Sequence, residues 1–114
     1  SVGDAVLVGL AKVVRGQLRE VDVVGRYGGE EFCVIMPHTP LSGAKKAGER
    51  LVEVVARHNF SPSGKAMNIT VSIGIASTSD ADVSSAGVML ENADKALYAA
   101  KRRGKNQVCC WEEL

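Results

Sequence analysis

Gly28 and Gly29 stand between two short apolar, β-branched runs, and that placement constrains the chain more than any other feature. Asp22-Val23-Val24-Gly25-Arg26-Tyr27 reads as one strand and Phe32-Cys33-Val34-Ile35-Met36 as the next. A two-residue hairpin loop needs positive φ, which glycine adopts without steric cost, so the spacing predicts a β-hairpin. The glycines also leave its tip bare, so that a bulky anion can come close to the backbone. Glu30 and Glu31 follow at the exit of the turn. Two carboxylates there suit a hard cation such as Mg²⁺, which takes oxygen ligands and often arrives with phosphates. The competing reading is a solvated turn with a charged edge. Successive strand side chains point to opposite faces, so Glu30 and Glu31 can share an ion only where the turn distorts the backbone; otherwise they do different jobs.

The remaining pattern alternates helix and strand. Leu7, Leu10, Val14 and Leu18 recur at helical spacing over residues 4–19, with Asp4 placed to cap that helix. Thr39-Pro40 offers a second start, with Thr39 as cap, followed by a buried stripe of Ala44, Ala47, Leu51, Val54 and Val55. Residues 67–76 alternate as a strand through Ile69, Val71, Ile73 and Ile75. A last helix over 86–103 has the stripe Met89, Leu90, Ala93, Leu97 and Ala100 and ends at Gly104; residues 107–111 form a short final strand. Helices alternating with a hairpin-bearing sheet indicate an α/β or α+β sandwich.

At 114 residues the chain holds one domain, 1–114. A hydrophobic share of 46% and a charged share of 24% fit an ordinary globular domain, and no run approaches a spanning helix of about 18 residues. A net charge of +1 argues against a general nucleic-acid-binding surface. Cys33, Cys109 and Cys110 lack metal-type spacing and read as structural thiols, which suits the reducing cytoplasm. His38 and His58 are not expected to be ligands, and Trp111 is expected to pack at the end of the core. The chain opens at Ser1, directly into helix-like sequence, as a domain entered partway through would.

Arg26-Tyr27-Gly28-Gly29-Glu30-Glu31-Phe32 resembles the signature of the GGDEF family, the diguanylate cyclases, in its GGEEF form. Gly3-Asp4, the stretch Ile69–Ala76 and the stretch Ala93–Asn106 resemble three further family segments in order and spacing. The resemblance implies a fold like that of nucleotidyl cyclases and polymerase palms, a mostly antiparallel sheet flanked by helices, whose first strand and helix precede this sequence. It implies a reaction in which two GTP molecules, one per domain of a homodimer, condense into cyclic di-GMP and two pyrophosphates, with Mg²⁺ or Mn²⁺. By resemblance, Glu30 binds metal and activates the 3′-hydroxyl, and Glu31 assists at the metal. Gly28 and Gly29 bring amides to the phosphates, Asp4 contacts guanine, and Lys101 and Lys105 hold the terminal phosphates. For Asp4 the plain alternative is a helix cap; for the lysines it is a solvated helix end.

Arg19-Glu20-Val21-Asp22 resembles the family's RxxD product-inhibition site, with Arg19 and Asp22 binding cyclic di-GMP. An exposed ion pair gives the same string. The family also carries an Asp-x-Asp-x-Phe-Lys-x-x-Asn-Asp-like stretch upstream, supplying a metal-binding aspartate and a guanine-binding asparagine. Residues 1–114 start after it and are expected to be inactive by themselves. An upstream sensory or receiver domain is implied as well, and the domain is expected in the cytoplasm, either by itself or as the cytoplasmic part of a membrane-anchored protein. Two rivals to the enzyme remain: an inactive receptor for cyclic di-GMP or GTP, and a dimerising scaffold.

Overall fold

The structure, a computed structural model, describes residues 3–28, 31–61, 65–80 and 84–114. In chain order the elements are α1 (Asp4–Gly16), β1 (Val23–Gly28), β2 (Glu31–Ile35), α2 (Leu41–Arg57), β3 (Ile73–Ile75), α3 (Ala86–Arg102) and β4 (Val108–Cys110). A 3₁₀ turn, Trp111–Glu113, follows. The mixture of three helices with a small antiparallel hairpin is the expected α+β class.

β1 and β2 pair antiparallel, Val23 opposite Ile35 and Gly25 opposite Cys33. The register shifts between Arg26 and Gly28, a bulge that bends the strand next to the tip. Gly28 pairs with Glu31, so Gly28 belongs to the strand rather than to the turn. Gly29 and Glu30 lie outside the described residues. β3 and β4 pair parallel through the α3 crossover, Ile73 opposite Val108 and Ile75 opposite Cys110.

Side-chain alternation on the hairpin sets the main core. Val24, Phe32 and Val34 face inward against Leu10 and Val14 of α1 and Leu51 and Val55 of α2. Ile69, Val71 and Ile73 close the same cluster. α3 has a different solution, because its contact with the sheet is made by small residues. Ala96, Ala100 and Cys109 are buried together, and Trp111 packs at their edge as expected. Gly74 makes the approach possible: a Cβ there would sit 2.2 Å from the Leu97 amide nitrogen and 2.3 Å from the Ala93 carbonyl oxygen.

Several sequence expectations shift. α1 stops at Gly16, three residues early. Glycine is a poor helix former, and the Arg15 guanidinium turns back to donate to the Arg19 and Asp22 carbonyls, holding the following residues in a loop. Gly3 is the N-cap of α1 and Asp4 its first residue, so Asp4 caps nothing; its charge still suits the positive helix end. Pro40 is the cap of α2, outside the helix, because the Thr39 hydroxyl is engaged elsewhere, donating to the Pro37 carbonyl. The strand over 67–76 pairs only at 73–75, since β4 supplies three partners. The buried line of α3 runs through Asn92, Ala96 and Ala100 instead of the larger apolar residues, which lie half-buried on its flanks. Cys33, in the middle of β2, is half-buried, whereas Cys109 and Cys110 are buried. No described helix is long and apolar enough to cross a membrane.

Candidate functional site

Glu31 opens β2 beside the hairpin tip, and its Oε2 lies 3.9 Å from the Lys101 ammonium. Both side chains are about half exposed, so the pair contributes little stability, in the range of roughly 0–1 kcal/mol. Its importance is placement, since residues 70 positions apart in sequence meet at one spot. Lys101 reaches there because α3 ends in a regular C-terminal motif. The Gly104 amide donates to the Lys101 carbonyl and the Lys105 amide to the Ala100 carbonyl, with Gly104 at φ +119°. Lys105 itself (φ 63°) is exposed in the turn and, among the described residues, makes no ion pair. The two intervening cations are engaged elsewhere: Arg102 lies over the Tyr98 ring, and Arg103 donates to Cys109 Sγ at 3.6 Å. Lys101 is therefore the described cation that faces the hairpin.

Asp4 stands at a cleft of about 340 Å³ whose other walls are Leu7, Val8 and Ala11 of α1 and Phe32 of β2. The helix spacing of 4, 7, 8 and 11 places these four on one stripe. Phe32 follows Glu31 directly, so one strand end supplies both the cleft wall and the charged edge, on alternate faces. Apolar walls with a single carboxylate suit a flat heterocycle that has N–H donors on one edge. Phe32 entered the sequence reading as a strand residue and the last letter of a motif; the cleft gives it a wall to form.

For a divalent cation, the described residues offer the Glu31 carboxylate, an oxygen donor of the right hardness for Mg²⁺ or Mn²⁺. They hold no cluster of three or more candidate ligands. The Glu31 carboxylate fits such a cation as one oxygen ligand of the set it needs.

A second cleft, of about 230 Å³, opens between the end of α1 and the start of α2. Arg19 and Asp22 line it with Leu18, Met36, Thr39 and Arg50. The Asp22 side chain is fully buried, and Arg19 wraps it: the Arg19 amide and Nη2 donate to its two oxygens at 2.8 Å each, with Nε at 3.3 Å. The hydrogen bond to Arg19 holds the Asp22 carboxyl below the usual range, outweighing the opposing effect of burial, with the charge of Arg15 adding to it. The same bond raises the Arg19 guanidinium above its ordinary value. Arg19 Nη2 also reaches the Pro37 carbonyl at 2.9 Å and Thr39 Oγ1 at 2.5 Å. Arg50 Nη2 donates to the Gln17 carbonyl at 3.1 Å from the opposite wall. With Asp22 neutralised by Arg19, the cleft keeps the charge of Arg50, which makes no ion pair among the described residues, a setting for a phosphate-bearing ligand. Arg50 and Thr39 were not read as site residues. The available signal for Arg50 was its helical offset of three from the buried Ala47, which sets it beside the inward face of α2.

The family model described as "Diguanylate cyclase, GGDEF domain" matches residues 1–107. Diguanylate cyclase A of Treponema denticola is 41% identical over 108 residues, covering 95% of this chain and 29% of that protein. The chain thus spans less than a third of that relative. Among solved structures, the active GGEEF domain of a diguanylate cyclase from Vibrio cholerae superposes with a TM-score of 0.82 at 30% identity, over 95% of this chain and 67% of that one. The GGDEF domain of DgcB from Caulobacter crescentus, in complex with c-di-GMP, gives 0.81 at 30% identity, over 96% and 64%. With that match running through the hairpin, both clefts and α3, the chain belongs to the diguanylate cyclase GGDEF-domain family.

Proposed function

We propose that residues 1–114 are the greater part of a diguanylate cyclase domain that condenses two GTP into cyclic di-GMP across a homodimer. The observation that carries this reading is the meeting of Glu31 and Lys101 at 3.9 Å, at the start of the strand whose next residue, Phe32, walls the apolar cleft at Asp4. That juxtaposition offers a base cleft, a carboxylate and a phosphate-binding cation in sequence. Guanine lies against Leu7, Val8 and Phe32 with its N1–H and N2–H₂ edge toward Asp4. Lys101 and Lys105 neutralise the terminal phosphates, and the backbone of Gly28 and Gly29 approaches them where a side chain would obstruct.

The 3′-oxygen of one GTP forms a bond to the α-phosphorus of the other, and the bond to pyrophosphate breaks. Glu30 takes the proton of the attacking hydroxyl. A second such transfer closes the ring. Glu30 and Glu31 would hold Mg²⁺ or Mn²⁺, which supplies charge neutralisation at the attacking and leaving oxygens. One domain binds one GTP, so chemistry needs two copies face to face, and their encounter is where an upstream sensory or receiver domain would act. The substrate places the domain in the cytoplasm.

The cleft at Arg19 and Asp22 binds cyclic di-GMP as inhibitor, with Arg50 as a further contact. Because this cleft is built away from the hairpin tip, binding without turnover is the second reading, that of a receptor. The test replaces Glu30 and Glu31 singly by Gln in the full natural chain and follows pyrophosphate release from GTP. Loss of turnover in Glu30→Gln, in folded protein, supports the enzyme. Undiminished turnover refutes the assignment of Glu30.

A further inference from the structure

We infer that Thr39 is a positioning residue for the Arg19 cleft, setting the guanidinium in the stance that receives a phosphate-bearing nucleotide. The inference rests on the reading of that cleft as a cyclic di-GMP site.

The argument begins with the direction of one proton. A threonine hydroxyl has a single O–H to donate and lone pairs to accept with. Thr39 donates to the Pro37 carbonyl at 2.9 Å, so toward Arg19 Nη2, at 2.5 Å, it acts as acceptor. The direction of this bond is thereby fixed by the backbone of the turn before α2. Arg19 Nη2 carries two hydrogens and faces three oxygens: Asp22 Oδ1, the Pro37 carbonyl and Thr39 Oγ1. Asp22 holds the Nε and Nη2 edge at two points, while the rest of the half-exposed guanidinium depends on other contacts to stay in place. Thr39 and Pro37 lie 20 and 18 residues away and restrain it from the other side. The plane of the fork is then defined by contacts on two loops.

Among the described residues Nη1 has no hydrogen-bond partner, which leaves that edge for a ligand. Thr39 also lines the cleft, and its methyl packs beside Gly43, where an added Cβ would lie 3.3 Å from it. The hydroxyl is consequently held from both ends of the side chain. A group set in its binding orientation before the ligand arrives loses less freedom on binding, which raises affinity without a new contact.

Thr39→Val keeps the shape and the methyl contact and removes only the acceptor. In the full natural chain, calorimetric titration with cyclic di-GMP is expected to show binding weakened roughly threefold to tenfold, the range that one hydrogen bond covers. Thr39→Ser, which keeps the hydroxyl, restores it. In the ligand-free valine variant the Arg19 Nε–H proton exchanges faster with solvent. Thr39→Ala carries the same comparison should the valine variant unfold. Affinity unchanged in Thr39→Val, where Arg19→Ala abolishes binding, overturns the positioning role and leaves the cleft assignment standing. A folded parent chain that does not bind cyclic di-GMP overturns both.

Discussion

Replacing Gly74 by alanine tests how α3 is held and, through α3, how Lys101 is aimed. The new Cβ would meet the Leu97 amide nitrogen at 2.2 Å, the Ala93 carbonyl oxygen at 2.3 Å and the Leu97 Cα at 2.7 Å. All three are backbone atoms, so no rotamer change relieves the clash. Ordinary contact begins near 3.4 Å, and the helix must retreat by about 1 Å. Overpacking a close-packed contact costs about 1–3 kcal/mol when side chains can adjust, and here the upper end or beyond is expected. For a domain of this size, 3 kcal/mol corresponds to a fall in Tm on the order of 15 °C. Lys101 lies one turn beyond Leu97, so the same retreat draws its ammonium away from Glu31. Gly48→Ala is the control. Its Cβ would meet only side-chain ends, Ile75 Cδ1 and Val108 Cγ2, both at 3.3 Å, and alanine favours a helix over glycine by about 1 kcal/mol. Calorimetry should show a large loss for Gly74→Ala and little for Gly48→Ala. A Gly74→Ala transition within 2 °C of the parent, roughly the span of a few tenths of a kcal/mol, would refute the packing argument.

Three further outcomes are expected. Asp22 has a folded pKa below its unfolded value of about 3.9, so its stabilising effect is complete above that value and is lost as pH falls through the folded pKa; acid unfolding below about pH 4 should soften in Asp22→Asn, and an identical acid limb would contradict the pairing with Arg19. Lys101→Ala should lower kcat/KM for GTP by roughly tenfold or more, as loss of one charge-assisted contact does, and unchanged kinetics would remove Lys101 from the phosphate site. Arg50→Ala should raise the concentration of cyclic di-GMP needed for inhibition by a similar factor of about ten, read from inhibition curves; superimposable curves would take Arg50 out of the cleft.

Much of this architecture was legible in the chain because local signals agreed with the global fold. The hairpin followed from Gly28-Gly29 between β-branched runs, the α2 stripe from Ala47, Leu51 and Val55, and the end of α3 from Gly104. The failures share a cause: each depends on a specific contact that helix and strand periodicity does not register. Leu18 continues the α1 period and still packs against the core, yet from a loop that Arg15 pins in place. Thr39 has the composition of a cap, and its hydroxyl is taken by Pro37 and Arg19. The last helix hides small residues because Gly74 lets its backbone approach the strand, which apolar periodicity alone does not register. Asp4 and Lys101 were singled out by resemblance to family motifs, whereas Phe32 as a cleft wall and Arg50 as a lining cation needed the clefts themselves. Glu30, on which the catalytic proposal depends most, lies outside the described residues.

The most direct test of the central claim is the stoichiometry of turnover by the full natural chain with GTP and Mg²⁺, quantifying nucleotide products and pyrophosphate together. The account predicts two pyrophosphates released for each cyclic di-GMP formed. GTP left intact by folded, dimeric protein that nonetheless binds cyclic di-GMP would contradict it and identify a receptor.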